Sequence, residues 1–471
     1  MSTVSAEYLG LCLALLVIVP QVAVYGLHVA VLMKGRRARP FSARYESRAE
    51  NVSFILPVRK EPLDYLENAI RYVGSLGIPG YEVIVVSDDD AEDKNALFKL
   101  IEKLREEGLN VWLLWRSNPR GYRTGALNDG LYLAVGDYIY ILDVDSRPEK
   151  CFFDYAVAML NEHPDYIGVV GRWEPLNTDT RVSEALALGM RFLTRVLYRY
   201  RSYAGLFTFP LGTGTLYKAK LLKGLLGGWD EKRIQDDMEI GARIMHHGLK
   251  VAYLDKCAIR VENPGTYKSY RIQQSRWSYG ALDAAISRFK SIAKSKYPVH
   301  VRIEALLYLL QYMPQTLMFI GTLLLALLTP FTSVDYMVMA LPLILLWVIT
   351  LVAYTYCMYR EGYWGTSLWN FAVLSGRLSA LSMAVSPYVA ASSVKALLRL
   401  SETYKRTPKG TYQKMYLSLR VPWELLFGTL FGVLGTYALI RGLFFTAAWL
   451  LLCSAGFLYT VYRFPRDVFY K

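Results

Sequence analysis

Two carboxylates with the spacing of a metal site follow an apolar run in the first half of the chain. In the segment DYIYILDVDS at 137–146, a single residue separates Asp143 from Asp145. Two like charges this close repel each other unless a cation neutralises them. Mg²⁺ commonly takes one or two protein carboxylates and completes its ligands with substrate phosphates. The pair therefore predicts a divalent cation facing a phosphate group, with helix capping by the same acids as the alternative.

A second acidic run, Asp88, Asp89 and Asp90, ends the segment GYEVIVVSDDD at 80–90. Taken alone, this run is more typical of a solvated turn. The sequence has no G-x-G-x-x-G motif after its first predicted strand and no G-x-x-x-x-G-K-[ST] motif anywhere. Dinucleotide redox chemistry and P-loop nucleotide hydrolysis are therefore not indicated.

The elements that would position these acids alternate along the chain. Apolar runs predict strands at 53–58, 80–90, 110–115 and 137–146, and helical patterns lie at 63–76 and 93–106. Alternating strands and helices predict an α/β domain with a mostly parallel sheet that is covered on both faces. Ligands of such sheets bind beyond the carboxyl ends of the strands, where both acidic runs lie.

The composition describes a soluble part joined to a membrane part. Of the 471 residues, 53% are hydrophobic and 20% are charged, which excludes a disordered chain. The five cysteines are scattered without a C-x-x-C pair, so neither a disulfide framework nor a zinc site is predicted. The net charge of +14 would suit nucleic acid or an anionic membrane surface. We expect membrane lipid, and no nucleic acid, as the partner.

Residues 8–33 contain no Asp, Glu, Lys or Arg and are long enough to cross a hydrocarbon core of about 30 Å. Basic residues follow at 34–39, so the positive-inside rule places the N-terminus outside and residue 34 onward in the cytoplasm. Four further spans are predicted from apolar runs near 305–330, 336–359, 422–440 and 443–462. Five crossings bring the C-terminal end to the cytoplasmic side.

Residues 364–399 are apolar but rich in serine, and Gly376 and Pro387 interrupt them. Two full spans need about 40 residues, so we expect helices that lie in the plane of the membrane interface. The predicted organisation is a transmembrane helix with a basic linker (1–43), a cytoplasmic domain (44–300) and a membrane domain (301–471).

Seven short motifs connect these regions. They are PVRKE at 57–61, VVSDDD at 85–90, GYRTGALN at 121–128, LDVDSRP at 142–148, GTGT at 212–215, GGWDEKRIQDDMEIGAR at 227–243 and QQSRW at 273–277. In this order and spacing the chain resembles the inverting family 2 glycosyltransferases, and within them the membrane-embedded cellulose-synthase-like and hyaluronan-synthase-like branch. The resemblance covers about 45–280 and extends to YKRTPKG at 404–410, which is similar to the gating loop of that branch.

The resemblance implies a GT-A catalytic domain, which is a Rossmann-like α/β fold for nucleotide-diphospho-sugars, joined to an α-helical transmembrane domain. It also implies the residues of the nucleotide-sugar site: Pro57, Glu61, Asp88, Arg123, Asp143 and Arg276. Asp88 would hold the nucleobase edge, and Arg276 the diphosphate. Asp143 would meet the ribose or the metal, and Asp145 the metal, either Mn²⁺ or Mg²⁺.

Two donor-site positions remain open at this point. Where the family usually has D-D-G, this chain has Ser87-Asp88-Asp89, so the acid that contacts the base is not fixed. Arg123 stands where the branch usually has lysine and suits a phosphate or nucleoside partner. A surface ion pair between Arg123 and Asp129 is the alternative.

For the acceptor side, the resemblance implies Asp237 as the catalytic base that takes a proton from an acceptor hydroxyl. Alternatively, Asp236 and Asp237 stabilise the N-terminus of the following helix. The two roles are compatible. The implied acceptor-binding residues are Gly212, Thr213, Asp236, Gln273 and Trp277. The gating loop would contribute Tyr404, Thr407 and Lys409. Gln273, Arg276 and Trp277 share one helical patch by their i, i+3 and i+4 spacing.

The expected function is an inverting, metal-dependent membrane transfer of a hexose, with mannose from GDP-mannose favoured. The acceptor would be a lipid of the dolichyl- or polyprenyl-phosphate type at the cytoplasmic face, as in the archaeal mannosyltransferases that the layout resembles and in N-glycan biosynthesis. The alternative is a processive β-polysaccharide synthase that uses a UDP-sugar and secretes its polymer. A scaffold or transporter is disfavoured because the chemical acids and Arg276 are all present, and no protein partner is specified.

Overall fold

The computed structural model describes residues 3–37, 47–362, 367–408 and 410–471. Within them lies an eight-stranded sheet with the strand order β3-β2-β1-β4-β7-β6-β8-β5. The strands are β1 (Val52–Val58), β2 (Glu82–Ser87), β3 (Val111–Trp115), β4 (Tyr138–Ile141), β5 (Ser146–Pro148), β6 (Tyr166–Pro175), β7 (Thr215–Lys218) and β8 (Lys250–Val261).

Helices flank the sheet in the middle of the chain, whereas the N-terminal helix packs against helices of the second half. The α-helices are α1 (Thr3–Arg36), α2 (Leu63–Ser75), α3 (Ala91–Glu106), α4 (Tyr122–Leu133), α5 (Lys150–Glu162), α6 (Arg181–Arg191), α7 (Arg199–Tyr203), α8 (Ala219–Gly224), α9 (Asp236–His246), α10 (Tyr267–Ala293), α11 (Val299–Leu309), α12 (Met313–Leu328), α13 (Tyr336–Met339), α14 (Leu341–Cys357), α15 (Leu368–Leu397), α16 (Trp423–Ile440), α17 (Phe444–Arg463) and α18 (Pro465–Phe469).

The sheet is mixed, because β7 runs antiparallel to both of its neighbours. β1 pairs in parallel with β2 and β4, and β2 with β3, as the alternating pattern predicts. β7 is antiparallel to β4 and β6, and β5 is antiparallel to β8. The parallel half brings the ends of β1, β2 and β4 to one edge, where the predicted site residues follow them.

Apolar spacing explains why α2 and α3 cover this sheet. Each buries a stripe with i, i+4 and i+7 spacing, and the β1 and β2 strands between them are almost wholly buried. The stripes are Leu66, Ile70 and Val73 on α2, and Leu97, Ile101 and Leu104 on α3.

The structure corrects the expectation that the cysteines form no disulfide. Cys151 at the start of α5 is bonded to Cys257 in β8, with 6.0 Å between their Cα atoms. They are 106 residues apart in the chain. Their proximity follows from the packing of α5 on β8, which cysteine spacing alone does not reveal.

Within the described residues, six helices are long and apolar enough to cross a membrane: α1, α12, α14, α15, α16 and α17. The run predicted as a single span at 305–330 is divided between α11 and α12. Val301, Ala305 and Leu309 of α11 belong to the core of the sheet domain. Pro314 lies in the first turn of α12, where a missing N–H costs no hydrogen bond.

Residues 368–397 form one continuous helix, α15, where several helices were expected. Pro387 leaves the carbonyl of Met383 without its usual helical donor, and the Ser386 hydroxyl donates to that carbonyl at 2.7 Å. Gln315 of α12 donates to the neighbouring Ser382 carbonyl at 2.6 Å. Side chains thus replace the lost main-chain bond, and the helix continues through the proline.

Candidate active site

One cavity of about 340 Å³ lies at the carboxyl edge of β1, β2 and β4. It brings together every predicted site residue that the structure describes: Pro57, Glu61, Asp88, Arg123, Asp143, Asp145, Gly212, Thr213, Asp236, Asp237, Gln273, Arg276, Trp277, Tyr404 and Thr407. Lys409 lies outside the described residues. Segments up to 350 residues apart therefore meet around one space.

Asp88 lies just beyond β2 and is held by Arg116, a residue that the sequence analysis missed. The Arg116 guanidinium donates to the two carboxylate oxygens of Asp88 at 2.6 and 2.7 Å. Its other N–H groups reach Asp129 and the carbonyls of Arg120 and Tyr122 at 3.0–3.1 Å. All five donors of the guanidinium are thus used within the protein, so Arg116 fixes Asp88 and the turn before α4. An arginine directly after the third predicted strand was the available signal.

The neighbouring acids have local partners. Asp89 accepts a hydrogen bond from the Lys60 amide and another from the Ser87 hydroxyl, the second at 2.8 Å. Asp90 is exposed and pairs with Lys60 at 2.7 Å. Asp88 alone of the three lines the cavity.

Asp143 and Asp145 follow β4 and face the same cavity. The Thr213 hydroxyl donates to the Ile141 carbonyl at 3.2 Å, and the Glu262 amide donates to the Asp145 carbonyl at 3.1 Å. Among the described residues, no group of three or more His, Cys, Asp or Glu side chains could enclose a metal. Two carboxylates at a cavity wide enough for a diphosphate fit a hard divalent cation that takes its remaining ligands from phosphate and water.

Arg123 is a buried bridge between the two acidic groups of the site. Its Nη1 donates to Asp143 at 2.6 Å, its Nε to Asp236 at 3.3 Å, and its Nη2 to the Gly212 carbonyl at 3.1 Å. The alternative pairing with Asp129 is wrong, because Asp129 contacts Arg116 and Arg120. A planar guanidinium can serve three partners at once, which a lysine ammonium on a flexible stem does less well.

Asp237 lies in the first turn of α9, below the loop that contains Gly212. Its carboxylate accepts hydrogen bonds from the Gly212 amide at 3.1 Å and from the Met238 amide at 2.8 Å. Burial, followed by the charge of Asp236, raises the pKa of Asp237 to about 6. A carboxylate held in one orientation with a pKa near neutrality suits a general base.

The helical patch on α10 meets the loop 400–408, which we call the cover loop. Gln273, Arg276 and Trp277 all line the cavity. The Arg276 guanidinium donates to the Tyr404 hydroxyl and lies 4.9 Å from the centroid of its ring. On its other side, the Tyr404 ring stacks on Tyr122 with a centroid distance of 6.2 Å.

A second contact closes the cover loop over the first strand. Arg406, which the sequence analysis did not single out, donates to Glu61 at 2.6 Å. The Ser269 hydroxyl donates to the Pro408 carbonyl at 3.2 Å, and Thr407 is buried against the cavity. Glu61 therefore has a cationic partner in the loop. The basic character of YKRTPKG was the only sequence signal for it.

Comparison with known proteins identifies a family for the sheet domain. The family described as "Glycosyltransferase like family 2" matches residues 50–280. The chain carries a family 2 glycosyltransferase domain. It is 28% identical over 424 residues to a probable glycosyltransferase of Sulfolobus acidocaldarius, covering 88% of this chain and 90% of that one. It is 31% identical over 215 residues to glucomannan 4-beta-mannosyltransferase 9 of Arabidopsis thaliana.

That plant alignment covers 44% of this glycosyltransferase and 40% of its relative, so less than half of the plant protein's length is matched. Among solved structures, the fold is similar to "Mannosyltransferase PcManGT from Pyrobaculum calidifontis in complex with GDP-Man and Mn2+". The TM-score is 0.54 with 20% identity, and the match covers 84% of this chain and 100% of that chain. This likeness establishes the GT-A fold.

Proposed function

We propose that this enzyme transfers mannose from GDP-mannose to a lipid-linked acceptor of the dolichyl- or polyprenyl-phosphate type at the cytoplasmic membrane face. The observation that carries the proposal is the composition of the cavity at the carboxyl edge of the sheet. One end has the carboxylates and arginines suited to a nucleoside diphosphate. The opposite wall is apolar and contains Leu186, Met190, Leu193 and Leu378, the last on α15. An acceptor brought from the membrane would meet the donor along that wall.

Relatives named as mannosyltransferases, and a neighbour in complex with GDP-Man and Mn²⁺, support mannose, a guanosine donor and a divalent metal for this chain. The second candidate is a processive synthase that uses a UDP-sugar. Trp277 is half-buried, and its flat face would suit the sugar ring of a growing polymer as well as that of a lipid-linked acceptor. This observation keeps the processive synthase as a candidate.

We infer that α15 lies along the membrane interface and that the chain crosses the membrane five times. α15 packs against α6 and α10 of the sheet domain on one side and against α12 and α17 on the other. Arg377, a third of the way along α15, pairs with Glu184 of α6 at 2.6 Å, and just beyond the end of α15 Tyr279 of α10 donates to the Leu400 carbonyl at 3.0 Å. Contacts with the sheet domain within α15 and just beyond its end suit a helix that stays on one side of the membrane.

The proposed mechanism gives each group of cavity residues one role. Asp88 and the cover loop enclose the nucleoside, and Asp143 and Asp145 would hold the divalent cation. The cation would supply positive charge to the departing diphosphate. Arg276 adds a fixed positive charge at the same end. Trp277 would support the acceptor sugar.

The chemical step needs one base. Asp237 takes the proton from the acceptor hydroxyl, whose oxygen forms a bond to the anomeric carbon as the bond to the diphosphate breaks on the opposite face. The configuration therefore inverts, and GDP leaves with both electrons of that bond. The Gly212 and Met238 amides keep the carboxylate aimed at the hydroxyl throughout.

The test uses the full chain in lipid nanodiscs with Mn²⁺ and radiolabelled GDP-mannose, UDP-glucose or UDP-N-acetylglucosamine. Each donor is offered with a dolichyl-phosphate-linked sugar, and the products are separated into organic-soluble and high-molecular-weight fractions. We expect mannose in the organic phase. Label from a UDP-sugar in long polymer would contradict the proposal and establish the processive synthase.

A further inference from the structure

A second cavity, of about 1090 Å³, lies where α10, α15, the cover loop and the start of α16 meet. Seven of the residues that line it are lysine or arginine, and Glu402 is the one carboxylate among its described lining side chains. Nothing in the proposed reaction uses this space. Its excess of cations suits an anionic occupant.

The outer rim of the cavity is apolar and exposed. Leu419, Val421, Trp423 and Leu426 have exposed fractions of 70%, 53%, 45% and 48%. Trp423 begins α16, one of the helices apolar enough to cross the membrane. A tryptophan and aliphatic side chains at the end of such a helix are typical of the membrane–water boundary. The rim therefore suits an acyl or isoprenoid chain, and the basic interior suits a phosphate.

The lining cations differ in how far they are already neutralised. Arg271 and Arg420 pair with the buried Glu424, and Lys268 donates to the Met415 carbonyl. Lys395 shares a half-exposed ion pair with Glu402 at 2.7 Å. Lys405 is exposed, and within the described part of the chain no ion pair involves it. Lys395, Lys405 and the exposed Lys471 are therefore the lining cations best able to reach a ligand phosphate.

The cover loop separates this cavity from the active site. Thr403 and Lys405 line the second cavity, whereas Tyr404 and Arg406 line the first, so alternate side chains face opposite sides. Arg276 lines both cavities. A ligand in the second cavity would therefore contact the back of the loop whose front encloses the donor.

We propose that the second cavity binds the phosphate head group of an anionic membrane phospholipid, and that the bound lipid holds the cover loop against the donor site. The cavity opens beside a membrane-spanning end, has a basic interior and an apolar rim, and shares a wall with the active site. The expected effect on GDP binding rests on the proposed function, whereas lipid retention does not depend on the identity of the donor sugar or the acceptor.

The test compares Lys395→Gln/Lys405→Gln with Lys99→Gln/Lys220→Gln, which removes two exposed lysines that do not line the cavity. Each protein is placed in nanodiscs of phosphatidylcholine alone or of phosphatidylcholine with about 30 mol% phosphatidylglycerol, which is an anionic lipid. Native mass spectrometry measures retained lipid, and titration measures GDP affinity. We expect phosphatidylglycerol to be retained about tenfold better than phosphatidylcholine, and the cavity variant to lose that preference.

The lipid should also strengthen GDP binding about threefold in the parent and in the control variant, but not in the cavity variant. Equal retention of the two phospholipids, or an unchanged preference in the cavity variant, would overturn the proposal. Two competitors identify other occupants. Displacement of phosphatidylglycerol by inorganic phosphate at equal concentration would reveal a simple anion site. Preferential displacement by dolichyl phosphate would assign the cavity to the acceptor, and either result would also overturn the proposal.

Discussion

Asp237 is the residue on which transfer depends most directly. In Asp237→Asn, the amide oxygen can still accept a main-chain hydrogen bond, but the side chain can no longer take a proton. We expect transfer to an acceptor to fall about 10²–10⁴-fold, with Mn²⁺ and GDP binding nearly unchanged. The measurements are acceptor turnover and GDP titration on the same preparation. Near-normal transfer by the folded variant would exclude Asp237 as the base.

Protein stability supplies the control for that substitution. Because the pKa of Asp237 is raised in the folded protein, its carboxyl binds a proton more tightly there than in the unfolded chain. Its contribution to folding stability therefore falls as the pH rises above its ordinary value of 3.8. At pH 7, Asp237→Asn removes a buried charge, and its melting temperature should be no lower than that of the parent. A clear loss would indicate a structural role.

The same raised pKa predicts the pH profile of transfer. Asp237 must be ionised to accept a proton, so kcat should decrease as the pH falls through about 6, approaching about a tenfold loss per unit. In Asp236→Asn, the neighbouring negative charge is absent, and the acidic limb should move to lower pH. Rates across the profile under saturating donor give the apparent pKa. An acidic limb that does not shift in this variant would mean that burial alone raises the pKa of Asp237.

Arg123 makes a prediction about the metal. Its guanidinium neutralises Asp143, so the cation and Arg123 compete for the same carboxylate. In Arg123→Gln, the repulsion between the guanidinium and the cation is absent. We therefore expect Mn²⁺ to bind roughly several-fold more tightly in the absence of nucleotide. Electron paramagnetic resonance of free Mn²⁺ measures this without turnover. Weaker Mn²⁺ binding would show that Arg123 supports the metal site.

At the scale of elements, the cover loop is held to the first strand by Arg406 and Glu61. In Arg406→Gln, this contact is lost, and hydrogen exchange of the loop amides should accelerate about tenfold, with a higher KM for the donor. Lys414→Gln is the matched control, because Lys414 is exposed and lies beyond the loop. Equal exchange in the two variants would show that other contacts, such as Arg276 with Tyr404, are sufficient to hold the loop.

At the scale of the whole molecule, the proposed interface position of α15 predicts five crossings. Exposed serines flank the helix at Ser367 and Ser401 and can each be replaced by cysteine. The background carries serine at the three free cysteines, Cys12, Cys357 and Cys453. An impermeant maleimide should label Ser367→Cys and Ser401→Cys only in inside-out vesicles. Labelling from opposite sides would mean that α15 spans the membrane and that the termini lie on the same side.

The sequence by itself determined the local features. Apolar runs predicted β1, β2 and β3 and the apolar helices α16 and α17 to within a few residues, because strand and helix periods are local properties. The ordered motifs identified the glycosyltransferase domain and nominated side chains that meet in one cavity. The continuity of α15 was missed, because the Ser386 hydroxyl replaces the main-chain hydrogen bond that Pro387 cannot donate.

Tertiary structure alone decided which side chains contact one another across the chain. Arg116 meets Asp88 from 28 residues away, Cys257 meets Cys151 from 106, and Arg406 meets Glu61 from 345. These contacts depend on the strand order and on the path of the cover loop, neither of which leaves a periodic trace in the sequence. The same reason hides the second cavity: its basic residues come from four elements, and only packing gathers their charges around one space.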